Sequence, residues 1–409
     1  MTTMEQTSKY ADIDQRSVGE RPSFITPRYL PRRGLSIPVI TVLDSAGRII
    51  EEQQRKVFRH AAQEGFGADI IFGVGTNGEW NRLANSERQQ LIWLEADEVR
   101  RINERLMNEL LMNERLEDER IIDKRLRMHA AQPIEAWVGV TGTTREETLA
   151  NLEVAIDARA DAAVIAPLSI RDMGDILTFF QREVTDLFDH KGAWLPLFLY
   201  DNADIAANPR IPHIRTRDVK RLSRLPFIFG LKVSAPRRVL GNYTKGALHY
   251  KDKGEFGVYV GNAMLMFQVF RMDDGLLGRA REYWNRYLLH NELPIGVVSG
   301  PANALPREWQ RGWRACFSGD ERLMAIYKSI FDEFSLACRF SENGKEVKKS
   351  VACFKQALKI EGVIESAAVA TGTRALTADE QRAFEARYKN IKQKLVELTD
   401  PLWISRPCQ

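Results

Sequence analysis

Eight short apolar runs, most of them rich in β-branched residues and most followed by sequence with helical periodicity, constrain this chain more than any other feature. They are SIPVITVL (36–43), ADIIFGV (68–74), IEAWVGV (134–140), DAAVIAP (161–167), WLPLFLY (194–200), PFIFGLK (226–232), FGVYVG (256–261) and PIGVVSG (294–300). Helical stretches fall near 51–65, 145–159, 173–190, 237–251 and 275–290. Strand–helix alternation implies a parallel sheet, and eight strands is the number that closes a barrel. The fold class is therefore α/β, a (β/α)8 barrel. After Pro306 the sequence is helical to its end, near 306–317, 320–340, 345–360 and 377–398, which predicts the last barrel helix and then a C-terminal helical domain. Three parts follow: an N-terminal arm over 1–34 broken by Pro22, Pro27, Pro31 and Gly34, a barrel over 35–318, and a helical domain over 319–409. A barrel of this kind runs well past 200 residues as one unit, so 409 residues need no further domain.

Composition excludes several classes. Hydrophobic residues are 44% and charged ones 28%, enough for a large core and too apolar for global disorder. Fifty-nine Lys and Arg against 55 Asp and Glu leave a net charge of +4 with no polybasic face, so no nucleic-acid partner is expected. No apolar run reaches the roughly 18 residues that span a bilayer, and the polar N-terminus lacks the apolar core of a secretory signal. Cys316, Cys338, Cys353 and Cys408 have no CxxC spacing and read as reduced thiols of a cytoplasmic protein. Six scattered histidines without HExxH predict no metal site.

Two stretches invite over-reading. Residues 97–127, with an insertion extending to about 130, repeat NERL, NERL, DERI and DKRL, and Leu106, Leu110, Leu116 and Leu126 draw a narrow apolar stripe. A long solvated helix extending the second barrel helix is the plainer reading. A subunit-bridging coiled coil is the sharper one, but the leucine spacing breaks clean heptads. Gly73-Val-Gly75-Thr-Asn-Gly78 is literally GxGxxG after a strand, with Glu95 or Asp97 about 20 residues on. A dinucleotide fingerprint would place that acid at the end of the next strand, whereas here both lie in helical sequence. The glycines fit a tight loop whose amides face a small anion.

Barrel chemistry sits at the C-terminal ends of strands. The second ends in Gly75-Thr76-Asn77-Gly78-Glu79, the fifth in Tyr200-Asp201-Asn202, and the sixth runs straight into Lys232. Burial disfavours an ammonium ion, so a lysine there becomes an amine able to attack a carbonyl. A lysine snorkelling from a strand end is the ordinary alternative. Its company favours the nucleophile: a tyrosine ending the adjacent strand and a Thr-Asn pair in a glycine loop suited to a carboxylate.

Taken together these segments resemble the dihydrodipicolinate synthase / N-acetylneuraminate lyase family of Schiff-base aldolases. GTNGEWNRLANSER (75–88), VGVTGTTREETLANLEVAIDARADAAVIAP (138–167), LYDNAD (199–204), GLKVSA (230–235), GVVSGPANALP (296–306) and KKSVACFKQALKIEGV (348–363) match its motifs in order over roughly 35 to 398. The resemblance implies a TIM barrel with a C-terminal helical domain, usually a homotetramer, so a homo-oligomer (tetramer or dimer) is expected. It implies that Lys232 forms an imine with pyruvate or a related 2-oxo acid, that Tyr200 is the general acid/base and that Thr76 relays protons. It assigns substrate binding to Asn77, Gly75, Gly78, Ser234, Gly261 and Val298, with no cofactor, no metal, and an aldehyde as the second small-molecule partner.

Departures narrow the substrate. Dihydrodipicolinate synthases carry an arginine five residues after the strand-five tyrosine, where this chain has Ile205, and a tyrosine after strand four, where it has Leu168-Ser169-Ile170. Asn77, in place of the usual threonine, is similar to members acting on 4-hydroxy-2-oxoglutarate or sugar acids. Gly261-Asn262-Ala263-Met264 lacks the acids that sialic-acid lyases use. Arg210, Arg237 and Arg238 are candidates for a distal carboxylate, though each is more often a surface charge. The leading reading is a lyase that makes or breaks a C–C bond of a 4-hydroxy-2-oxo acid. The alternatives are a dihydrodipicolinate synthase-like enzyme or sugar-acid dehydratase using the same lysine, then a non-catalytic binder of a 2-oxo acid.

Overall fold

The computed structural model describes residues 29–115, 132–246, 250, 256–270 and 294–399. All eight expected strands form: β1 (Gly34–Pro38), β2 (Ile70–Gly73), β3 (Glu135–Gly139), β4 (Ala162–Ile165), β5 (Leu197–Asn202), β6 (Ile228–Ser234), β7 (Gly257–Val260) and β8 (Gly296–Val298). Each pairs in parallel with the next, and β8 pairs with β1 to close the barrel. Such a sheet buries both faces, which is why the strands are apolar runs rather than alternating ones. Ile37, Ile71, Val138, Leu199 and Leu231 join the large core under the helices, while Phe72, Trp137, Val164, Phe198 and Val298 fill the lumen.

Lumen packing fixes the level at which chemistry sits. Trp137 stacks on Phe198 at 3.9 Å between ring centroids, and Tyr259 meets both edge-on at 5.0 and 5.7 Å. Gly230 makes room for this plug, since a Cβ there would lie 2.7 Å from the Phe198 ring. At the N-terminal mouth, Tyr29 and Trp137 donate to the same oxygen of Glu135 at 3.0 and 2.7 Å, and the Tyr259 hydroxyl donates to the Arg32 carbonyl at 2.5 Å. That end is closed by side chains bonded to one another.

The first strand is shorter than the sequence run suggests. The strand ends at Pro38, with a last bond from the Val39 amide to the Phe72 carbonyl of β2 at 3.0 Å, and Ile40–Leu43 stay buried beyond it. Side-chain amides take up their backbone groups instead: Asn303 accepts from the Ile40 amide at 3.1 Å and Gln54 from the Val42 amide at 2.8 Å. Gly34, placed in the arm by the sequence reading, opens β1.

Helix α1 (Glu51–Ala62) follows β1, and α2 (Asn85–Arg115) follows β2 for 31 residues. The charged segment, as far as Arg115, therefore extends the second barrel helix. Its buried stripe is Val99, Ile102, Leu106 and Leu110, and the Asn103 side chain exchanges bonds of 2.8 and 3.1 Å with the Ile134 backbone. Leu116, Leu126, the helix expected at 275–290, most of the N-terminal arm and Cys408 lie outside the described residues. Among the described residues no helix is long and apolar enough to cross a membrane.

Beyond the helix Pro306–Ser318, helices Glu321–Ala337, Ser350–Ile360 and Ala378–Thr399 pack against the barrel. One expectation fails here. The helices read to 340 and from 345 give way to an antiparallel hairpin, β9 (Arg339–Glu342) and β10 (Lys345–Lys348). Asn343 and Gly344, with φ of 52° and 75°, form its two-residue turn. Asn-Gly at both positive-φ positions outweighs the helix preference of the Glu and Lys around it.

Candidate active site

Strands β5 and β6 supply the centre. Their register sets Tyr200 beside Lys232 and Asn202 beside Ser234, while β7 sets Tyr259 on the other side of Lys232. Alternation along a strand then turns Lys232 and Ser234, and Tyr200 and Asn202, to the same lumen face. Lys232 is only 5% exposed, and its Nζ lies 3.7 Å from the Tyr200 ring centroid and 4.6 Å from that of Phe72. Aromatic faces favour a cation by about 0.5–2 kcal/mol. Burial outweighs that gain and pulls the amine below the ordinary lysine value, with Tyr200 opposing the shift.

The Tyr200 hydroxyl meets three side chains. Ser234 Oγ lies at 3.2 Å, Thr76 Oγ1 at 3.3 Å, and Asn202 Nδ2 donates to it at 3.0 Å. Burial alone would push this phenol upward. The Lys232 charge and the bonds from Ser234, Thr76 and Asn202 oppose burial and hold it below the usual phenol value. A buried amine and an acidified phenol in contact, with two hydroxyls in reach, make a proton-transfer centre. Among the described residues, no group of three or more His, Cys, Asp or Glu side chains stands ready to hold a metal ion.

Thr76 reaches the centre because the loop after β2 is tightly held. Val74 and Glu79 take φ of 52° and 58°, a strained region for residues other than glycine and rarest for a β-branched one. Three contacts impose this shape: Glu95 accepts from the Gly73 amide at 2.8 Å, Thr41 donates to the Gly78 carbonyl at 2.7 Å, and Glu79 pairs with Lys355 at 2.5 Å. Lys355 also donates to the Ala368 carbonyl at 2.7 Å, and the other Glu79 oxygen accepts from the Ala370 amide at 2.8 Å. The C-terminal helices thus clamp the loop that carries Thr76 and Asn77.

The expected residues separate into groups. Lys232, Tyr200, Thr76 and Ser234 converge directly, and Val298 joins the lumen cluster with Tyr200 and Phe72. Gly75 precedes the turn Thr76–Gly78, and the Asn77 amide lies against Gly300, where a Cβ would approach it to 2.4 Å. Gly261 leaves space for the Ser234 hydroxyl, since a Cβ there would lie 2.2 Å from its Oγ. Ile205 packs on the lumen cluster as an apolar wall, whereas Arg210, Arg237 and Arg238 are exposed. The GxGxxG reading finds no support in the placement of its acids: Glu95 is buried under Gly73, and Asp97 pairs with Arg55 at 2.7 Å.

Two contributors escaped the sequence reading. Asn202 is one; its i, i+2 relation to Tyr200 on a strand was the available signal. Lys355 is the other; it sits on the apolar face of its helix between Val351 and Leu358, a position where a cation signals a buried partner.

No protein-family model matches the chain, and no curated protein matches it. Solved structures do. Dihydrodipicolinate synthase from Bacteroides thetaiotaomicron is similar with a TM-score of 0.62 and 20% identity, covering 88% of this chain and 99% of that one. A prophage protein from E. coli K12 belonging to the dihydrodipicolinic acid synthase family, solved in complex with pyruvate, gives 0.61 and 18%, over 88% and 98%. The 4-hydroxy-tetrahydrodipicolinate synthase from Methylacidiphilum fumariolicum SolV gives 0.59 and 17%, over 90% and 98%. The barrel, its closure and the helices beyond it are those of the dihydrodipicolinate synthase fold.

Proposed function

We propose that this chain is a Schiff-base-forming lyase, a pyruvate-type class I aldolase that makes or breaks a C–C bond of a 4-hydroxy-2-oxo acid. The observation that carries this reading is the contact between the buried Lys232 amine and the Tyr200 ring, with the Tyr200 hydroxyl bonded to Thr76, Ser234 and Asn202. Lys232 attacks the C2 carbonyl to give a carbinolamine. Tyr200 passes its proton to the departing hydroxyl, water leaves, and a protonated imine remains. That imine draws the electrons of the C3–C4 bond as it breaks, while the phenolate takes the proton of the 4-hydroxyl. An aldehyde departs, the enamine is protonated at C3, and hydrolysis frees the 2-oxo acid and Lys232.

Pyruvate is the simplest 2-oxo acid for the site, and the pyruvate complex of the E. coli fold relative supports it. In this reading Asn77 and the amides of the Thr76–Gly78 turn receive its carboxylate. The Ile205 wall offers a distal carboxylate no partner, which disfavours dihydrodipicolinate synthase itself and favours an uncharged aldehyde portion. We expect a homo-oligomer.

The test needs no aldehyde. In D2O, the protein should exchange the methyl protons of pyruvate through the enamine, read by proton NMR. Lys232→Met should reduce exchange to background, and Tyr200→Phe should slow it about 10²–10⁴-fold, the usual worth of a positioned acid/base. Absence of exchange with pyruvate and other 2-oxo acids in folded protein contradicts the proposal.

A further inference from the structure

Asn202 lies two residues beyond Tyr200 on β5, and its two amide atoms have different tasks. Oδ1 accepts from the Asp204 backbone amide at 3.1 Å, capping the turn Ala203–Ile205. A backbone N–H can only donate, so this contact fixes which end of the side-chain amide is oxygen. Nδ2 is thereby directed at the Tyr200 phenol oxygen, to which it donates at 3.0 Å in a buried setting.

This contact orients the phenol proton. With one lone pair committed to Asn202, the Tyr200 O–H is left to point at Ser234 Oγ at 3.2 Å or Thr76 Oγ1 at 3.3 Å. We propose that Asn202 is a positioning residue that turns the Tyr200 proton toward Thr76 and Ser234 and holds the phenolate that forms when Tyr200 gives that proton up. The role rests on the aldolase reading for its place in the reaction. The groups facing the phenol are Lys232 and Ser234 from β6, Thr76 from the loop after β2, and Asn202 from β5 itself. Lys232 is the charged one, and it is neutral at the moment it attacks a carbonyl. Asn202 donates at every stage. It cannot titrate in this range, so it supports the anion without competing for the proton.

The experiment uses the full chain with Asn202→Ala and Asn202→Asp, and has two arms. The first follows Tyr200 ionisation without ligand, as the ultraviolet difference between each protein and the same protein carrying Tyr200→Phe. Its midpoint should rise by about one pH unit in Asn202→Ala, the worth of one hydrogen bond to a charged group. It should rise further in Asn202→Asp, which keeps the shape and the Asp204 cap but replaces the donor with an anion. The second arm is the pH profile of pyruvate methyl exchange, where the limb set by Tyr200 should move in the same order and the neutral-pH rate should fall about tenfold in Asn202→Ala. A purely structural role predicts the reverse order, with Asn202→Asp close to wild type. That order, or midpoints that do not move, overturns the proposal. Exchange absent from the wild type would count against the aldolase reading alone, because the first arm still decides what Asn202 does to Tyr200.

Discussion

Two buried lysines, both on elements that face the same loop, have opposite surroundings. Lys355 is fully buried and meets a carboxylate at 2.5 Å and a carbonyl at 2.7 Å. Lys232 is 5% exposed and lies between two aromatic rings. Burial lowers both amines from the ordinary lysine value, but Glu79 opposes it at Lys355, whereas only Tyr200 opposes it at Lys232. A paired buried ammonium is a clamp that keeps its charge. An amine buried without a carboxylate holds its proton less tightly, so its nucleophilic lone pair is the more easily freed. The difference separates the residue that holds the site together from the residue that reacts.

The comparison breaks most sharply by exchanging each lysine for methionine. Lys232→Met should abolish pyruvate exchange, while Lys355→Met leaves the reactive amine in place and slows exchange only through a loosened Thr76–Gly78 loop. Stability should respond in the opposite sense. Lys355→Met leaves Glu79 buried without its cation, which costs about 3–5 kcal/mol, and adding Glu79→Gln should restore much of it. Denaturant unfolding of the single and double variants measures both.

Lys232→Met should instead stabilise the protein by about 1 kcal/mol at neutral pH, because a buried amine disfavours its proton. The sign follows from the lowered amine: the unfolded chain binds that proton more tightly, so the wild type loses stability as pH falls from the ordinary lysine value to the lowered folded one, and the loss is complete below it. The advantage of Lys232→Met should therefore shrink as pH rises toward the ordinary lysine value, which melting curves at several pH values would reveal. The same lowering predicts that imine formation reaches its alkaline plateau below the ordinary lysine range. Smaller in effect, Gly261→Ala should displace the Ser234 hydroxyl and slow exchange, and it should also cost some stability, because its Cβ would lie 2.9 Å from the Val233 carbonyl of β6, which no side-chain rotation relieves.

Sequence made the barrel legible because each strand is an apolar run bounded by turns, and a parallel barrel asks for little else. It exposed Lys232, Tyr200 and Thr76 because the apolar runs of the fifth and sixth strands end at Tyr200 and Lys232 and Thr76 closely follows the second, although β5 and β6 each continue two residues further, to Asn202 and Ser234. It concealed the hairpin of β9 and β10, where Glu and Lys read as helix although Asn343-Gly344 marked the turn. The pairing of Glu79 with Lys355 spans 276 residues, and no local pattern joins them. Asn202 was hidden differently: its neighbour is close in sequence, but only the closed β5 ladder shows that its amide is held by Asp204 and so must face Tyr200.

The most direct test of the contrast between the two lysines is borohydride reduction in the presence of pyruvate, followed by intact mass and peptide mapping. A single pyruvate-dependent adduct on Lys232, with Lys355 unmodified and no adduct in Lys232→Arg, is the predicted result. An adduct on Lys355, or none on Lys232 in folded protein with any 2-oxo acid, would contradict the account.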